Sequence, residues 1–121
     1  MMDYSKLSDQ EINGLVMDEL SDGNQAHRNG FGSFIELLHQ VNSVEFGEHI
    51  ERDEVYARFD PCNNAADAWP IIAYNGINIL WDWNDDGLHG ASANPIWEYE
   101  HENVLRAAMI VFLMMQENQD A

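Results

Sequence analysis

Apolar residues near the start of the chain recur at helical spacing. Ile12, Leu15, Val16 and Leu20 fall on one face. Ser8 and Glu11 form an S-x-x-E capping box, with Leu7 and Ile12 placed as a hydrophobic staple. Asp9 and Glu11 suit the positive end of the helix dipole. Gly23, in Ser21-Asp22-Gly23-Asn24, marks the stop, and residues 21–32 predict a loop. Ser33 with Glu36 repeats the capping pattern. Phe34, Leu37, Leu38 and Val41 then predict a short second helix. Val44, Phe46 and Ile50 alternate, but Gly47 and Glu48 interrupt a simple strand. Val55–Phe59 predicts a short strand with Val55, Ala57 and Phe59 on one side.

In the second half, Asp60-Pro61 breaks the chain. Asn63 or Asn64 is placed to cap a helix through Asp67 to about Tyr74, bending or restarting at Pro70, which has no N–H. Asn75-Gly76 predicts a turn. Ile77, Ile79, Trp81 and Trp83 alternate with Asn78, Leu80 and Asp82, the pattern of a half-buried strand. Asn84–Pro95 is a polar loop or hairpin connection, and Ile96–His101 alternates again. Asn103 caps a last helix over about 104–117. Leu105, Ala108, Met109, Phe112 and Leu113 form one stripe, widened by Val111, Met114 and Met115, so this helix belongs at the centre of the core. Trp69, Ile71 and Ile72 are expected to pack on it, and Trp81, Trp83 and Trp97 to be cross-strand neighbours. The expected class is α+β: one domain over 1–121, with three or four helices packed on a small antiparallel sheet and the C-terminal helix central.

Charge changes this ordinary picture. The 121 residues are 45% hydrophobic, yet 22 Asp and Glu face only 5 Lys and Arg, a formal net of −17. The excess is shared by both halves of the chain, so it is not an acidic tail. Three readings compete: a solvated surface, a surface that docks on a basic partner, or an ion-binding surface. Direct binding to nucleic acid is disfavoured, because few cations are available to displace counterions. Cys62 is the only cysteine, so no internal disulfide forms, which suits a reducing compartment. MMDYSKLSDQ lacks the apolar core of a signal peptide, and the nine-residue apolar run Ala107–Met115 falls short of the roughly 20 residues of a membrane helix. The expected location is the cytoplasm.

Two segments carry a resemblance. Residues 59–72 read FDPCNNAADAWPII, and residues 105–115 read LRAAMIVFLMM. With the opening DYSKLSDQEIN, they resemble the NinX-like proteins of phages and prophages, a family of unknown function. The family pattern has proline where this chain has Ala65 and Val104. Both helix starts survive that change, because proline in a first turn is favoured but not required. The resemblance implies a phage accessory protein expressed in the host bacterial cytoplasm. It implies no catalytic residue and no substrate, and it does not reach residues 23–56.

Candidates for chemistry are few. His27, His39, His49, His89 and His101 include no i, i+4 pair. His49 with Glu48, Glu51 and Asp53 permits at most a loose metal cluster. Asp82, Asn84, Asp86 and Gly87 match the first half of a calcium loop, but its twelfth position is Ala93, so the bidentate ligand is missing. No nucleophile elbow or phosphate loop is present. No enzyme activity, cofactor or metal is therefore expected.

The leading expectation is a protein that binds and inhibits a host factor, such as a nuclease, restriction enzyme or CRISPR complex, through an acidic surface that mimics nucleic acid. The candidate partner-binding residues are Asp82, Asp85, Asp86, Glu98, Glu100, Glu102, Glu48, Glu51 and Asp53. On a strand, Glu98, Glu100 and Glu102 would recur every roughly 6.6 Å. Duplex DNA advances roughly 6.8 Å over two phosphates of one strand. The expected partner is a basic host protein or nucleoprotein complex, with no direct nucleic acid, no membrane and a possible homo-oligomer. One alternative is a binder that sequesters a small signalling nucleotide, with Arg28, Arg52, Arg58 and Arg106 as its only phosphate ligands. Another is a structural or regulatory phage protein without inhibitory activity.

Overall fold

In a computed structural model, which describes residues 2–94 and 96–119, the capping box opens the first helix as expected. Ser8 Oγ accepts from the Glu11 N–H and Glu11 Oε1 from the Ser8 N–H, both at 3.1 Å. Helix α1 runs Asp9–Ser21 and buries Ile12, Asn13, Gly14 and Val16, while Leu20 stays exposed. Asp22, at φ 54, ends it in the left-handed conformation.

The largest departure follows. The helix expected at Ser33–Val41 is strand β2, Ile35–Glu45, within the sheet β1 (His27–Asn29), β2, β3 (Glu48–Phe59). Both members of the apparent second capping box hold other partners. Ser33 Oγ donates to Asp60, and Glu36 accepts from Arg28 Nε at 2.9 Å. Ile35 and Leu37 alternate with Glu36 into the core, and β3 lies antiparallel alongside from Ile35↔Phe59 to Glu45↔Glu48. Phe46 (φ 52) and Gly47 (φ 80) make the hairpin turn, with positive φ at both positions as a two-residue turn of this hand requires. The stretch 44–50 that defied assignment is this turn and its flanks.

Helix α2, Ala65–Asn75, is capped by Asn64, whose Oδ1 accepts from the Ala66 N–H at 2.9 Å. It continues through Pro70 without restarting. The intrahelical bond lost to proline lies between Ala66 and Pro70, both exposed, so the loss falls on the solvent side of the helix. The strand expected at 77–83 is shorter, β4 at Asn78–Leu80. Asp82 turns into the left-handed region at φ 52, which ends the alternation. Trp81 and Trp83 therefore leave the core and are exposed. They are not cross-strand partners of Trp97, which pairs with Ala93. Part of the expected 84–95 loop is strand β5, His89–Ala93, which joins β4 to β6, Trp97–His101, in a second antiparallel sheet. Pro95 lies outside the described residues.

Helix α3, Val104–Gln119, is buried at every position from Arg106 to Leu113 and packs against α1, α2 and the β4-β5-β6 sheet. The class is α+β, with two small sheets where one was expected.

One polar assembly is built into this core. Arg106 Nη1 meets Asp9 Oδ1 at 2.7 Å, and Nη2 donates to the carbonyls of Leu7 (2.6 Å) and Tyr4 (3.1 Å). Asn103 caps α3 through the N–H groups of Leu105 and Arg106, and its amide donates to Cys62 O at 2.7 Å. Asn13, fully buried, donates to Asp60 and Ser33 O and accepts from the Cys62 N–H. The Asp60–Asn64 turn, α1 and α3 are thus cross-tied. Burial raises the Asp9 carboxyl, but hydrogen bonds from Asn63 and Arg106, with the Arg106 charge, outweigh it and hold Asp9 below its ordinary value.

Replacing Arg106 with Leu should cost about 3 kcal/mol, because it strands a partly buried carboxylate and the Leu7 carbonyl; urea denaturation measures it. With its folded-state pKa lowered, Asp9 stabilises the fold above its unfolded value of about 3.9, and that share is lost as pH falls through the folded value. Acid titration of unfolding should show a shallower loss below about pH 4 in Asp9→Asn than in the parent chain.

Candidate functional site

Only the base of the β2–β3 hairpin enters the core. From Leu38 to Arg58 no residue is buried. Strands of 11 and 12 residues give the hairpin a length of roughly 35 Å. The outer part is a ribbon solvated on both faces. The pairs Gln40↔Asp53, Asn42↔Glu51 and Val44↔His49 present one face, and Val41↔Arg52, Ser43↔Ile50 and Glu45↔Glu48 the other. The expected site residues Glu51 and Asp53 therefore share a face, while Glu48 lies on the opposite one beside Glu45. Arg52 is the ribbon's only Lys or Arg, and it is held by Glu54 at 3.0 Å and Glu45 at 3.6 Å. His49 reaches Glu51 at 3.4 Å, and among the described residues no three His, Cys, Asp or Glu side chains converge as a metal set.

The other expected acids gather on the second sheet. Glu98 and Glu100 point outward from β6 at alternate positions. Glu102 lies beyond the strand end at His101, so the expected three-member repeat has two members. Asp82, Asp85 and Asp86 sit on the 81–88 loop. Asn84 organises that loop: its Oδ1 accepts from the N–H groups of Asp86 (2.9 Å) and Leu88 (3.4 Å), and its amide donates to Glu100 at 3.1 Å. The carboxamide oxygen that a calcium loop would use is thus taken by backbone, and Ala93, at the twelfth position, is buried in β5. Trp83 lies over Gly90, where a Cβ would come within 2.6 Å of its ring. A shallow groove of about 500 Å³ runs between Trp83, Tyr99, Glu98 and Glu100.

The nine expected residues thus form two groups on separate sheets. The feature missing from that expectation is the ribbon tip. Phe46 is fully solvent-exposed and holds a positive φ, which is unfavourable for a bulky L-residue. The signal was Phe-Gly between two alternating stretches, hidden because hairpin turns of this type are usually marked by Asn-Gly or Asp-Gly.

Every basic side chain already has a partner within the chain. Lys6 pairs with Asp3, Arg28 with Glu36, Arg52 with Glu45 and Glu54, and Arg106 with Asp9. Arg58 lies over the Phe34 ring at 4.6 Å. The four arginines are dispersed over β1, β3 and α3 and do not converge. Cys62 is buried, and burial together with the Asp9 charge pushes its thiol well above the ordinary range, so it is no nucleophile. No helix among the described residues is long and apolar enough to cross a membrane.

A family model described as "Bacteriophage P22, NinX" matches residues 3–116. No curated protein and no solved structure matches the chain significantly.

Phe46→Asn should raise stability by about 1 kcal/mol, since Asn tolerates the left-handed conformation and Phe46 buries nothing. Thermal denaturation at fixed protein concentration checks it. Cys62 should resist a thiol reagent in the native protein and react at once in denaturant.

Proposed function

The chain belongs to the bacteriophage P22 NinX family, and from that premise we propose that it is a phage accessory protein that acts by binding rather than by catalysis. Its target is a basic host protein or nucleoprotein complex, met inside the infected bacterium and inhibited by occupation of the groove that otherwise holds nucleic acid. The β2–β3 ribbon carries this reading. It places Glu45, Glu48, Glu51, Asp53 and Glu54 clear of the core with a single, internally paired arginine among them. Acids on both faces suit a ribbon that enters a cationic cleft and meets two walls, with Phe46 as an apolar anchor at its end. A field of this sign also steers a cationic partner toward the chain. The acids of the 81–88 loop and β6 add to that field.

The nucleotide-sequestering alternative has less to draw on. Its four candidate arginines are apart, and each is already engaged.

The ribbon reading is tested with the immobilised protein and host lysate. A basic protein should be retained at about 50 mM salt and released at about 0.5 M, because exposed charge pairs are screened within a few ångströms at high salt. A Glu48→Lys, Glu51→Lys, Asp53→Lys variant should lose that protein while keeping its melting temperature to within a few degrees. Equal capture by parent and variant would refute the ribbon's role.

A further inference from the structure

The outer face of α2 stands apart from the acidic surface. The exposed positions of α2 are Ala65, Ala66, Trp69, Pro70, Ala73 and Tyr74, and none is charged. The helix's one acid, Asp67, is half-buried and accepts the Asp60 N–H at 2.9 Å. Trp69 was expected to pack against α3, but Ala68, Ile71 and Ile72 fill that contact, and Trp69 is 63% exposed. Tyr74 is 91% exposed, and Trp81, across from Trp69, is 66% exposed. The ridge has an apolar groove on each side. Trp69, Ile72, Ile79, Trp81 and Leu105 line one of about 430 Å³. Leu20, Phe59, Pro70 and Tyr74 line another of about 490 Å³, with the half-buried Asp67 in its wall.

We propose that two copies of this chain associate through the outer face of α2. Area is the first argument. At roughly 200 Å² per large aromatic residue, the three rings alone expose about 450 Å². Leu20, Pro70 and the alanines extend the strip toward the roughly 800 Å² that each partner contributes to a standard interface. Charge is the second. Two chains of −17 each repel one another, and a face whose exposed residues are uncharged is where they meet at low electrostatic cost. A basic partner, by contrast, gains nothing from a neutral strip when acids surround it. Shape is the third. A ridge between two grooves is self-complementary under a two-fold axis, with the ridge of each copy seated in a groove of the other. The dimer leaves both ribbons free and presents two of them to a partner.

The salt dependence of this contact is opposite in sign to that of the ribbon. Screening weakens the ribbon's hold on a cationic partner but relieves repulsion between like-charged copies, so dimerisation strengthens as salt rises. Sedimentation equilibrium of the full chain over a concentration series should show a species of twice the 13.9 kDa monomer mass. Its dissociation constant should fall severalfold between about 50 mM and 0.5 M salt. Trp69→Glu with Tyr74→Glu should sediment as a monomer with an unchanged circular dichroism spectrum. Tyr74→Ser, a milder change at a nearly free ring, should weaken association about tenfold. The ribbon charge-reversal variant should dimerise as the parent does, so failure of one proposal is distinguishable from failure of the other. A monomer at every concentration and salt, a dimer that salt dissociates, or a dimer untouched by both α2 variants would each overturn the proposal. So would capture by the α2 face of a different apolar protein in preference to its own copy.

Discussion

Arg106 is the cation around which the core is closed. It rises from the first turn of α3, the most buried helix, and spends its guanidinium on the first residue of α1 and on two carbonyls of the segment before it. Of those carbonyls, Tyr4 O also accepts from the Leu7 N–H at 3.1 Å, within a short 3-10 turn at Tyr4–Lys6. Arg106 adds directed bonds to the apolar hold that buried Tyr4 and half-buried Leu7 give the chain's start. Asn103, one short step earlier, caps α3 and holds the Cys62 carbonyl, so the Asp60–Asn64 turn is fixed to the same helix end. Asn13 closes the circuit from α1. A polar assembly this deep is tolerable because its members largely satisfy one another, with Arg106 Nε left without a partner. It ties three stretches distant in sequence into one register, which apolar packing alone specifies poorly.

With the inside settled in this way, the outside is free to carry a large charge. Self-repulsion lowers the stability of the compact state, and the chain carries 22 acids against that cost. The acids are not spread evenly. They sit on α1, on both faces of the ribbon, on the 81–88 loop and on β6, and they are missing from the exposed side of α2. Two surfaces with opposite physical character therefore lie on one small body: one attracts cations and is weakened by salt, and the other is neutral and apolar.

Much of the fold was legible in the sequence because it is encoded locally. The box at Ser8 and Glu11, the caps at Asn64 and Asn103, and the all-round apolar pattern of α3 each depend on residues a few positions apart. Their physics is complete within one or two turns. The ribbon was not legible in this way. Ser33, Glu36, Leu37 and Val41 satisfy a helical template, and what defeats it is non-local: Asp60 takes Ser33, Arg28 takes Glu36, and β3 pairs with the whole length of β2. The tryptophans failed for a related reason. Period-two alternation placed Trp81 and Trp83 in a strand, but a single left-handed residue, Asp82, turns both rings outward. Charge totals pointed to a binding surface, yet the acids' division between two sheets and the neutrality of α2 emerge only when the chain is folded.

Binding, as proposed, belongs to the ribbon and the fold to the body around Arg106, so the two should separate. The direct measurement removes the ribbon altogether: residues 41–52 are replaced by Asn-Gly, so that Gln40 and Asp53 close a shorter hairpin, and the affinity for the basic host protein is compared with that of the parent chain. The account predicts a cooperatively folded protein that binds that partner at least tenfold more weakly. A trimmed protein that folds and binds as tightly as the parent would contradict it.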